Sequence, residues 1–506
     1  MTPPKPKSKT LRSRVTFGAA VMLTGALLVR MLDILSLVVL ARLLAPADYG
    51  VVALAMVFVG IVEMASNLRL STALIRKETI TESEFDTAFT LSMLRGLLAG
   101  GILFASAQPL AQALGEPIVA ELLHVLAVVP VLNGLINQRF VVYEKRLDFS
   151  KGVSREVLAK IMGVIATIGL ALVWQSYWAL VIGTVVTRAG VLVLSYTLLP
   201  AWPRLGLTGW REFVAFGGWL AGARAVARLS TSLDTLIVGL AFTPTVVGQY
   251  NVGNRMATSF TGELVTPLTR SVYSGLASIA RDTARMREAY YKAQSTILGV
   301  VLPVGVGAAL LAHELILVLI GPQWLQAVTV VQVVAPVLAF GMVSAGTHGL
   351  VMVDGSTRRL FVRSLVSLGI RLPCLLVGLW LGGFLGLLIG RAFANLQMTM
   401  VNLHIASTIL KEPFIRPLVA AWRTFLACGV MAAAILLVAQ RLGGPASTLG
   451  EALIGVAVKG ATGAAVYVTA LFVLWLLAGR PDGFERRLLD FVGRLREMLR
   501  HRLRRR

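Results

Sequence analysis

The sequence FGAAVMLTGALLVRMLDILSLVVLARLLAPADYG, residues 17–50, contains the first long apolar segment of the chain. Residues 17–40 are long enough to cross a bilayer as a helix, which takes about 20 residues. Arg30 and Asp33 lie near the middle of this segment, where charges are costly unless they face a bundle interior or a wet cavity. Their i,i+3 spacing places them on one helical face, where they can pair. Two interpretations stay open: an ion pair that locks the helix to its neighbours, or a charged pair that lines a transport cavity.

The apolar character continues along nearly the whole chain of 506 residues, of which 56% are hydrophobic and 14% are charged. The mean hydropathy is +0.78. These values indicate a polytopic helical membrane protein without a separate soluble domain. A net charge of +23 would suggest nucleic acid as the partner of a soluble protein. Here the basic residues lie between and beyond the apolar segments, where the positive-inside rule explains them, so we expect no nucleic-acid partner.

The apolar segments predict about fourteen membrane spans. They cover residues 17–40, 49–67, 86–107, 118–137, 153–173, 177–199, 213–240, 246–268, 293–320, 325–350, 361–381, 383–408, 418–440 and 450–478. Lys and Arg concentrate in every second connection, at residues 69–77, 145–151, 204–211, 281–292, 358–363 and 411–416. This alternation predicts that both termini are cytoplasmic. The first apolar segment is longer than that of a cleaved signal peptide, so we expect it to remain as the first span.

The turn after the first span recurs later in the chain. Pro46 and Gly50 have counterparts in Pro244 and Gly248, and both pairs are separated by 198 positions (244 − 46 and 248 − 50). An even number of predicted spans separates the two turns, so the repeated units have the same orientation in the membrane. This pattern indicates a parallel repeat about an axis along the membrane normal, an architecture used by alternating-access transporters. The same offset relates Arg30 to Arg228, while Asp234 is only loosely equivalent to Asp33.

The expected fold is therefore all-α, with two pseudo-symmetric lobes of six spans each. A basic N-terminus, two lobes, two additional spans and a basic tail are expected at residues 1–14, 15–200, 201–410, 411–479 and 480–506. In the tail, apolar residues recur at helical spacing between arginines. This pattern predicts an amphipathic helix, separate from the spans and suited to anionic lipid headgroups. A plain positive-inside anchor is the alternative for the tail.

Two short motifs resemble the bacterial Wzx-type oligosaccharide flippases of the multidrug/oligosaccharidyl-lipid/polysaccharide exporter superfamily. They are Ala41–Gly50, ARLLAPADYG, and Val247–Arg255, VGQYNVGNR, which is followed by Pro267 and a basic loop. The resemblance covers about residues 10–410, and it depends on the order and topology of the motifs. It implies V-shaped lobes around a cationic central cavity, with flipping driven by an ion gradient or by the membrane potential.

The resemblance also implies a substrate and a location. The substrate is an oligosaccharide repeat unit linked to undecaprenyl diphosphate, which crosses from the cytoplasmic to the periplasmic leaflet of the bacterial inner membrane. The products are exopolysaccharide, capsule or O-antigen. A polysaccharide polymerase and export machinery are then expected as partners.

The candidate site residues suit a diphosphate headgroup, because fixed arginines bind its oxygens bidentately. The basic candidates in segments one, seven and eight are Arg30, Arg224, Arg228 and Arg255. The acidic candidates for setting arginine geometry or carrying a proton are Asp33, Asp234 and Glu263. The candidates for hydrogen bonds to sugar hydroxyls are Asn251 and Asn254, with Gln249 beside them. For each residue the alternative is a polar contact between helices. Other charges inside the spans are interpreted as structural or as reaching the membrane surface: Lys160, Arg188, Arg371, Arg391 and Lys459.

Other functions stay open. A lipid II flippase or a multidrug exporter of the same superfamily would fit the same pattern. A major-facilitator transporter is disfavoured because its loop signature is absent from residues 67–77. A glycan polymerase or ligase would place its catalytic groups in a large outer loop, and no predicted outer loop is long enough. His313-Glu314 lacks the second histidine of a zinc-protease helix, and Cys374 and Cys428 offer no metal-ligand spacing. We therefore expect a transporter without a catalytic residue, metal or cofactor.

Overall fold

The computed structural model describes residues 11–66, 70–77, 79–146, 148–262, 282–353, 357–444, 446–480, 484–486 and 497. Within these residues the regular elements are helices, and the predicted all-α class is confirmed. In chain order, α1 to α19 are Leu11–Leu43, Pro46–Ser66, Leu70–Arg76, Glu82–Leu114, Ile118–Leu126, Val128–Gly134, Val141–Lys145, Ser150–Trp174, Trp178–Thr197, Trp210–Ala241, Pro244–Gly262, Thr283–Leu310, Ala312–Leu319, Ala327–Gly341, Thr347–Val353, Thr357–Leu410, Arg416–Ala420, Trp422–Arg441 and Leu449–Leu477.

Ten of the described helices are long and apolar enough to cross a membrane. An eleventh span arises if Ile118–Gly134 and Gln138–Lys145, which meet at a bend of 50°, are counted together. Helix α16 contains two predicted spans, because Gly382 and Gly383 interrupt its helical geometry. Helix α10 covers the seventh predicted segment, and α11 covers the eighth as far as Gly262, since residues 263–268 lie outside the described residues. The predicted count of about fourteen is compatible with these helices and stays a prediction.

The two halves of α16 form a tight hairpin that depends on glycine. Gly383 adopts a φ of 56°, in the left-handed region that favours glycine. A Cβ atom on Gly386 would lie 2.0 Å from the carbonyl oxygen of Gly378, and one on Gly390 would lie 2.1 Å from that of Cys374. The two backbones therefore touch directly, as small residues allow between helices in membranes.

Residue contacts divide the chain into two compact units, residues 1–251 and 252–506. In the first unit, α1 packs on α8, α8 on α9, α4 on α5 and α6, and α2 on α10. Helix α10 is the first span of the predicted second lobe, and it packs on α2 within the first unit. The predicted lobe boundaries at residues 200 and 410 stay predictions.

In the second unit, the two C-terminal spans are fixed to the preceding helices. Helix α18 packs on α12, and α19 packs on α18 and α13. Lys459 of α19 forms an ion pair with Glu314 of α13, and the two side chains are only 5% and 4% exposed. The hydroxyl of Tyr467 donates a 2.7 Å hydrogen bond to the carbonyl oxygen of Gly299. Because a buried charge without its partner is strongly destabilising, the Glu314–Lys459 pair holds α19 in a fixed register on α13.

The first residues of the tail are part of the same core. Glu485 is 3% exposed, and its Oε1 atom lies 2.9 Å from Nη1 of Arg423 at the start of α18. Phe484 packs against Gly299, where a Cβ atom would lie 2.6 Å from the phenylalanine ring. The sequence suggested a tail separate from the spans, whereas these residues belong to the packing of the second unit. Beyond Arg486 the predicted amphipathic helix lies outside the described residues, apart from Glu497.

Two truncations should therefore differ in stability. Ending the chain after Arg480 removes Glu485 and leaves Arg423 buried without its carboxylate, which should cost about 3–5 kcal/mol. Ending it after Arg486 keeps the ion pair and should leave the thermal midpoint in detergent close to that of the full chain. Size-exclusion chromatography after heating measures both midpoints. Equal midpoints for the two truncations would contradict a structural role for Phe484 and Glu485.

Candidate functional site

A cavity of about 360 Å³ lies inside the first unit. Helices α2, α4, α6, α9 and α10 contribute its lining. We call it the arginine cavity, because three arginines line it. Its lining includes Gly60, Glu63, Arg95, Asn133, Arg188 and Arg228. Three guanidinium groups and one carboxylate thus line one site between helices of the first unit. This charge balance gives the cavity a net positive charge.

Helices α2 and α10 approach closely at two glycines. A Cβ atom on Gly60 of α2 would lie 2.6 Å from Nη2 of Arg228 on α10. At Gly239 of α10, a Cβ atom would lie 2.2 Å from Cδ2 of Leu54 on α2. Each helix therefore receives a side chain of the other where it has none of its own. This exchange brings Arg228 to the wall of the cavity.

The opposite wall is formed by α4 and α6, which also meet at glycines. A Cβ atom on Gly96 would lie 2.5 Å from the carbonyl oxygen of Pro130, and one on Gly134 would lie 2.6 Å from that of Ser92. This contact places Arg95, next to Gly96, beside Asn133, next to Gly134. Its consequence is that two polar side chains from different helices line one small space.

Glu63 connects this wall to α2. The Nδ2 atom of Asn133 donates a hydrogen bond to Oε1 of Glu63. The same carboxylate attracts Arg95 electrostatically. A carboxylate among guanidinium groups limits their mutual repulsion and keeps them available as donors to another anion.

Among the predicted site residues, Arg228 lines the arginine cavity, whereas Arg30 and Asp33 of α1 do not. Asp33 forms an ion pair with Lys160 of α8, with 2.5 Å between Oδ1 and Nζ. Helix α1 packs on α8. The Asp33–Lys160 pair therefore joins two packed helices, in agreement with a structural role, and Lys160 is one of the charges interpreted as structural.

The polar candidates near the α10–α11 turn bond to one another. Asp234, which is 2% exposed, accepts a 2.8 Å hydrogen bond from the hydroxyl of Tyr250. Asn251 accepts a 3.3 Å hydrogen bond from Thr235 and donates a 2.9 Å hydrogen bond to the carbonyl oxygen of Val247. These contacts fix α10 against α11.

The remaining candidates lie elsewhere. Asn254 accepts a 2.6 Å hydrogen bond from Nη2 of Arg391, and Arg255 is exposed on α11. Arg224 is on α10, but its side chain is outside the described set, and Glu263 is outside the described residues altogether.

Sequence reasoning did not single out Glu63, Arg95 and Asn133, and it interpreted Arg188 as structural or as reaching the membrane surface. Glu63 and Arg95 lie within the second and third predicted segments, so charge inside an apolar segment, the signal that singled out Arg30, also marks them. Asn133 is uncharged and carries a weaker signal. No property of the sequence alone showed that these residues would meet Arg228.

The two repeat-related turns touch each other at what we call the reciprocal glycine contact. A Cβ atom on Gly50 would lie 1.8 Å from the carbonyl oxygen of Pro244, and one on Gly248 would lie 1.8 Å from that of Pro46. Both prolines begin helices, α2 and α11, a position that suits a residue without an N–H group. Asp48 supports the first turn by accepting hydrogen bonds from the backbone of Ala45 and Tyr177, at 3.0 and 3.2 Å.

Comparison with known proteins identifies the family of this chain. The family described as polysaccharide biosynthesis protein matches residues 39–329, more than half of the chain. The chain belongs to this family. The resemblance to Wzx-type flippases that the sequence motifs indicated is thereby confirmed.

Two relatives agree with this assignment. The chain is 21% identical to the lipopolysaccharide biosynthesis protein WzxC of Escherichia coli (strain K12), over 82% of this chain and 86% of WzxC. It is 22% identical to the succinoglycan biosynthesis transport protein ExoT of Rhizobium meliloti (strain 1021), over 56% of this chain and 58% of ExoT.

Its fold is shared with the lipid II flippase MurJ in an inward closed conformation, with a TM-score of 0.72 and 13% identity over 90% of this chain and 99% of MurJ. An inward-facing MATE family transporter gives a TM-score of 0.59, with 16% identity over 78% of this chain and 99% of that chain. The relatives whose names state a role are named for biosynthesis or transport, in line with the expectation of a transporter rather than an enzyme.

Gly50→Ala should separate the two turns of the reciprocal glycine contact. The opposing atom belongs to the backbone, so the added methyl group must open the contact by about 1.5 Å to reach an ordinary C···O distance of about 3.3 Å. Spin labels at Ala47→Cys and Thr245→Cys, with Cys374 and Cys428 replaced by Ser, report the separation by pulsed electron paramagnetic resonance. In the control Gly101→Ala, whose Cβ meets nothing within 4 Å, the distance should not change. An unchanged distance in Gly50→Ala would refute the contact.

Proposed function

We propose that this protein is a flippase for oligosaccharide repeat units linked to undecaprenyl diphosphate. The observation that carries the proposal is the arginine cavity, in which three guanidinium groups accompany one carboxylate inside an apolar helical unit. A diphosphate must bring negative charge into that environment, and arginine offers it planar pairs of donors. The family match and the biosynthetic names of the relatives support a glycan as the cargo.

Five polar side chains of the cavity have a proposed role. Arg95, Arg188 and Arg228 bind the diphosphate oxygens. Asn133 donates to hydroxyls of the first sugar, and Glu63 orients Asn133 and moderates the repulsion between the arginines. These roles depend on charge-assisted hydrogen bonds, which are stronger in a water-poor site than in solution.

The predicted residues outside the cavity receive different roles in the proposal. Asp33 and Asp234 position helices through Lys160 and Tyr250, respectively. The other sequence candidates are proposed to act elsewhere along the translocation path, and they are Arg30, Arg224, Arg255, Asn251, Asn254 and Glu263.

Translocation is proposed to proceed by alternating access in the bacterial inner membrane, from the cytoplasmic to the periplasmic leaflet. In this proposal both termini are cytoplasmic, so the connections after the first and seventh spans, which carry the reciprocal glycine contact, face the periplasm. The predicted lobes, residues 15–200 and 201–410, would move during the cycle, and residues 411–479 would follow the second lobe. A polymerase and export machinery would receive the glycan, and anionic lipids would bind the tail.

Reconstitution tests the cargo. Proteoliposomes are loaded with fluorescent undecaprenyl-diphosphate oligosaccharide, and a membrane-impermeant quencher reports the fraction that has crossed. Parallel samples contain fluorescent lipid II, which also carries a diphosphate, or a cationic drug. Faster flipping of the oligosaccharide than of lipid II supports the proposal. Preferred transport of lipid II or of the drug, or chemical cleavage of the oligosaccharide, would overturn it.

Single substitutions in the cavity should reduce flipping without loss of folded protein. Arg95→Ala and Arg228→Ala should each lower the flipping rate at least about tenfold, because a hydrogen bond to a charged group contributes about 1.5–3 kcal/mol. Arg228→Lys should retain partial activity, since the charge remains but the planar pair of donors is lost. Arg441→Ala, which removes an exposed arginine at the end of α18, is the control. Flipping at the wild-type rate by well-folded Arg228→Ala protein would contradict the role of Arg228.

A further inference from the structure

The position of the Arg228 guanidinium depends on the absence of a side chain at Gly60. The three atoms nearest to a Cβ built on Gly60 are Nη2, Nε and Cζ of Arg228, at 2.6, 3.0 and 3.1 Å. Because Cζ is farther away than either nitrogen, the Nε–Nη2 edge of the guanidinium faces α2. The third nitrogen, Nη1, is not among these nearest atoms and is therefore left on the side away from Gly60.

An alanine at this position would meet a different kind of obstacle from an alanine at Gly50 or Gly248. At those glycines the opposing atom is a backbone carbonyl oxygen, so a methyl group must separate helices. At Gly60 the opposing atoms form the end of a flexible side chain, which can rotate away while α2 and α10 stay in place. The methyl group would therefore displace the guanidinium into the arginine cavity without unfolding the unit.

We propose that Gly60 is a positioning residue for anion recognition: it lets Arg228 lie edge-on against α2, so that one side of the guanidinium is held and the Nη1 side is presented to a phosphate group. This inference rests on the proposed function and adds the origin of the binding geometry. A fixed guanidinium loses less side-chain entropy on binding than a mobile one, and its donors keep the orientation that phosphate oxygens require.

Binding of inorganic pyrophosphate tests the geometry independently of transport. The full chain is purified in lipid nanodiscs, and the dissociation constant is measured by isothermal titration calorimetry. Gly60→Ala should weaken pyrophosphate binding about fivefold. The thermal midpoint of the variant should equal that of the wild type. Gly101→Ala is the matched control, because it adds the same methyl group to a helical glycine of the first unit whose Cβ meets nothing within 4 Å.

A double-mutant cycle separates positioning from packing. If Gly60 acts through Arg228, Gly60→Ala should weaken binding in the wild-type background and have no further effect in Arg228→Ala. The same loss in both backgrounds, or unchanged binding by Gly60→Ala, would overturn the inference. Absence of pyrophosphate binding by the wild type would overturn it as well.

The flipping assay distinguishes this inference from the proposed function. If the wild type binds pyrophosphate but does not flip the lipid-linked oligosaccharide, the proposed function is wrong while the positioning of Arg228 stands on the binding cycle. If the wild type flips the oligosaccharide and Gly60→Ala flips it at the same rate with the same pyrophosphate affinity, the proposed function stands and the role of Gly60 is wrong.

Discussion

Direct contact between helix backbones is the interaction on which the described structure depends. Apolar helices in a bilayer gain little free energy when their surface is removed from lipid, so close packing must hold them together. Glycines supply it where α4 meets α6, where α2 meets α11 and within the α16 hairpin. At the reciprocal glycine contact the added atom would lie only 1.8 Å from a backbone oxygen. These contacts set the spacing between helices, and the spacing decides which side chains can meet.

Two groups of charged side chains in the described helices have different consequences. The first group forms ion pairs, as in Asp33–Lys160 and Glu314–Lys459, and each pair joins two packed helices. Removal of one partner would leave a charge without compensation in a poorly solvated place. The second group is the arginine cavity, where guanidinium groups outnumber carboxylates. An excess of one sign between membrane-spanning helices is costly for stability, which is why the cavity carries the proposed function.

The backbone contact between the two repeat-related turns stabilises the fold and also suits the proposed transport cycle. Each turn places a proline at the first position of a helix and a glycine one turn later, so the prolyl carbonyl of one can touch the glycine of the other. Because the contact uses backbone atoms on both sides, it has no side chain that can adjust gradually. Such a contact is either formed or separated, which suits an element with two discrete states.

The sequence by itself determined the all-α class, the approximate position of the helices, the internal repeat and the family. Hydropathy and charge along the chain are local quantities, and a bilayer requires each apolar segment to satisfy its own backbone as a helix. The tertiary structure decided which polar groups meet. Asp33 pairs with Lys160, Asp234 bonds to Tyr250, and Arg228 shares a cavity with Arg95 and Glu63. Asp33 and Lys160 are far apart in sequence, as are Arg228 and Arg95, and Asp234 and Tyr250 belong to different helices. The face that each helix turns to its neighbour depends on backbone contacts at glycines. Periodicity within one segment therefore cannot reveal them.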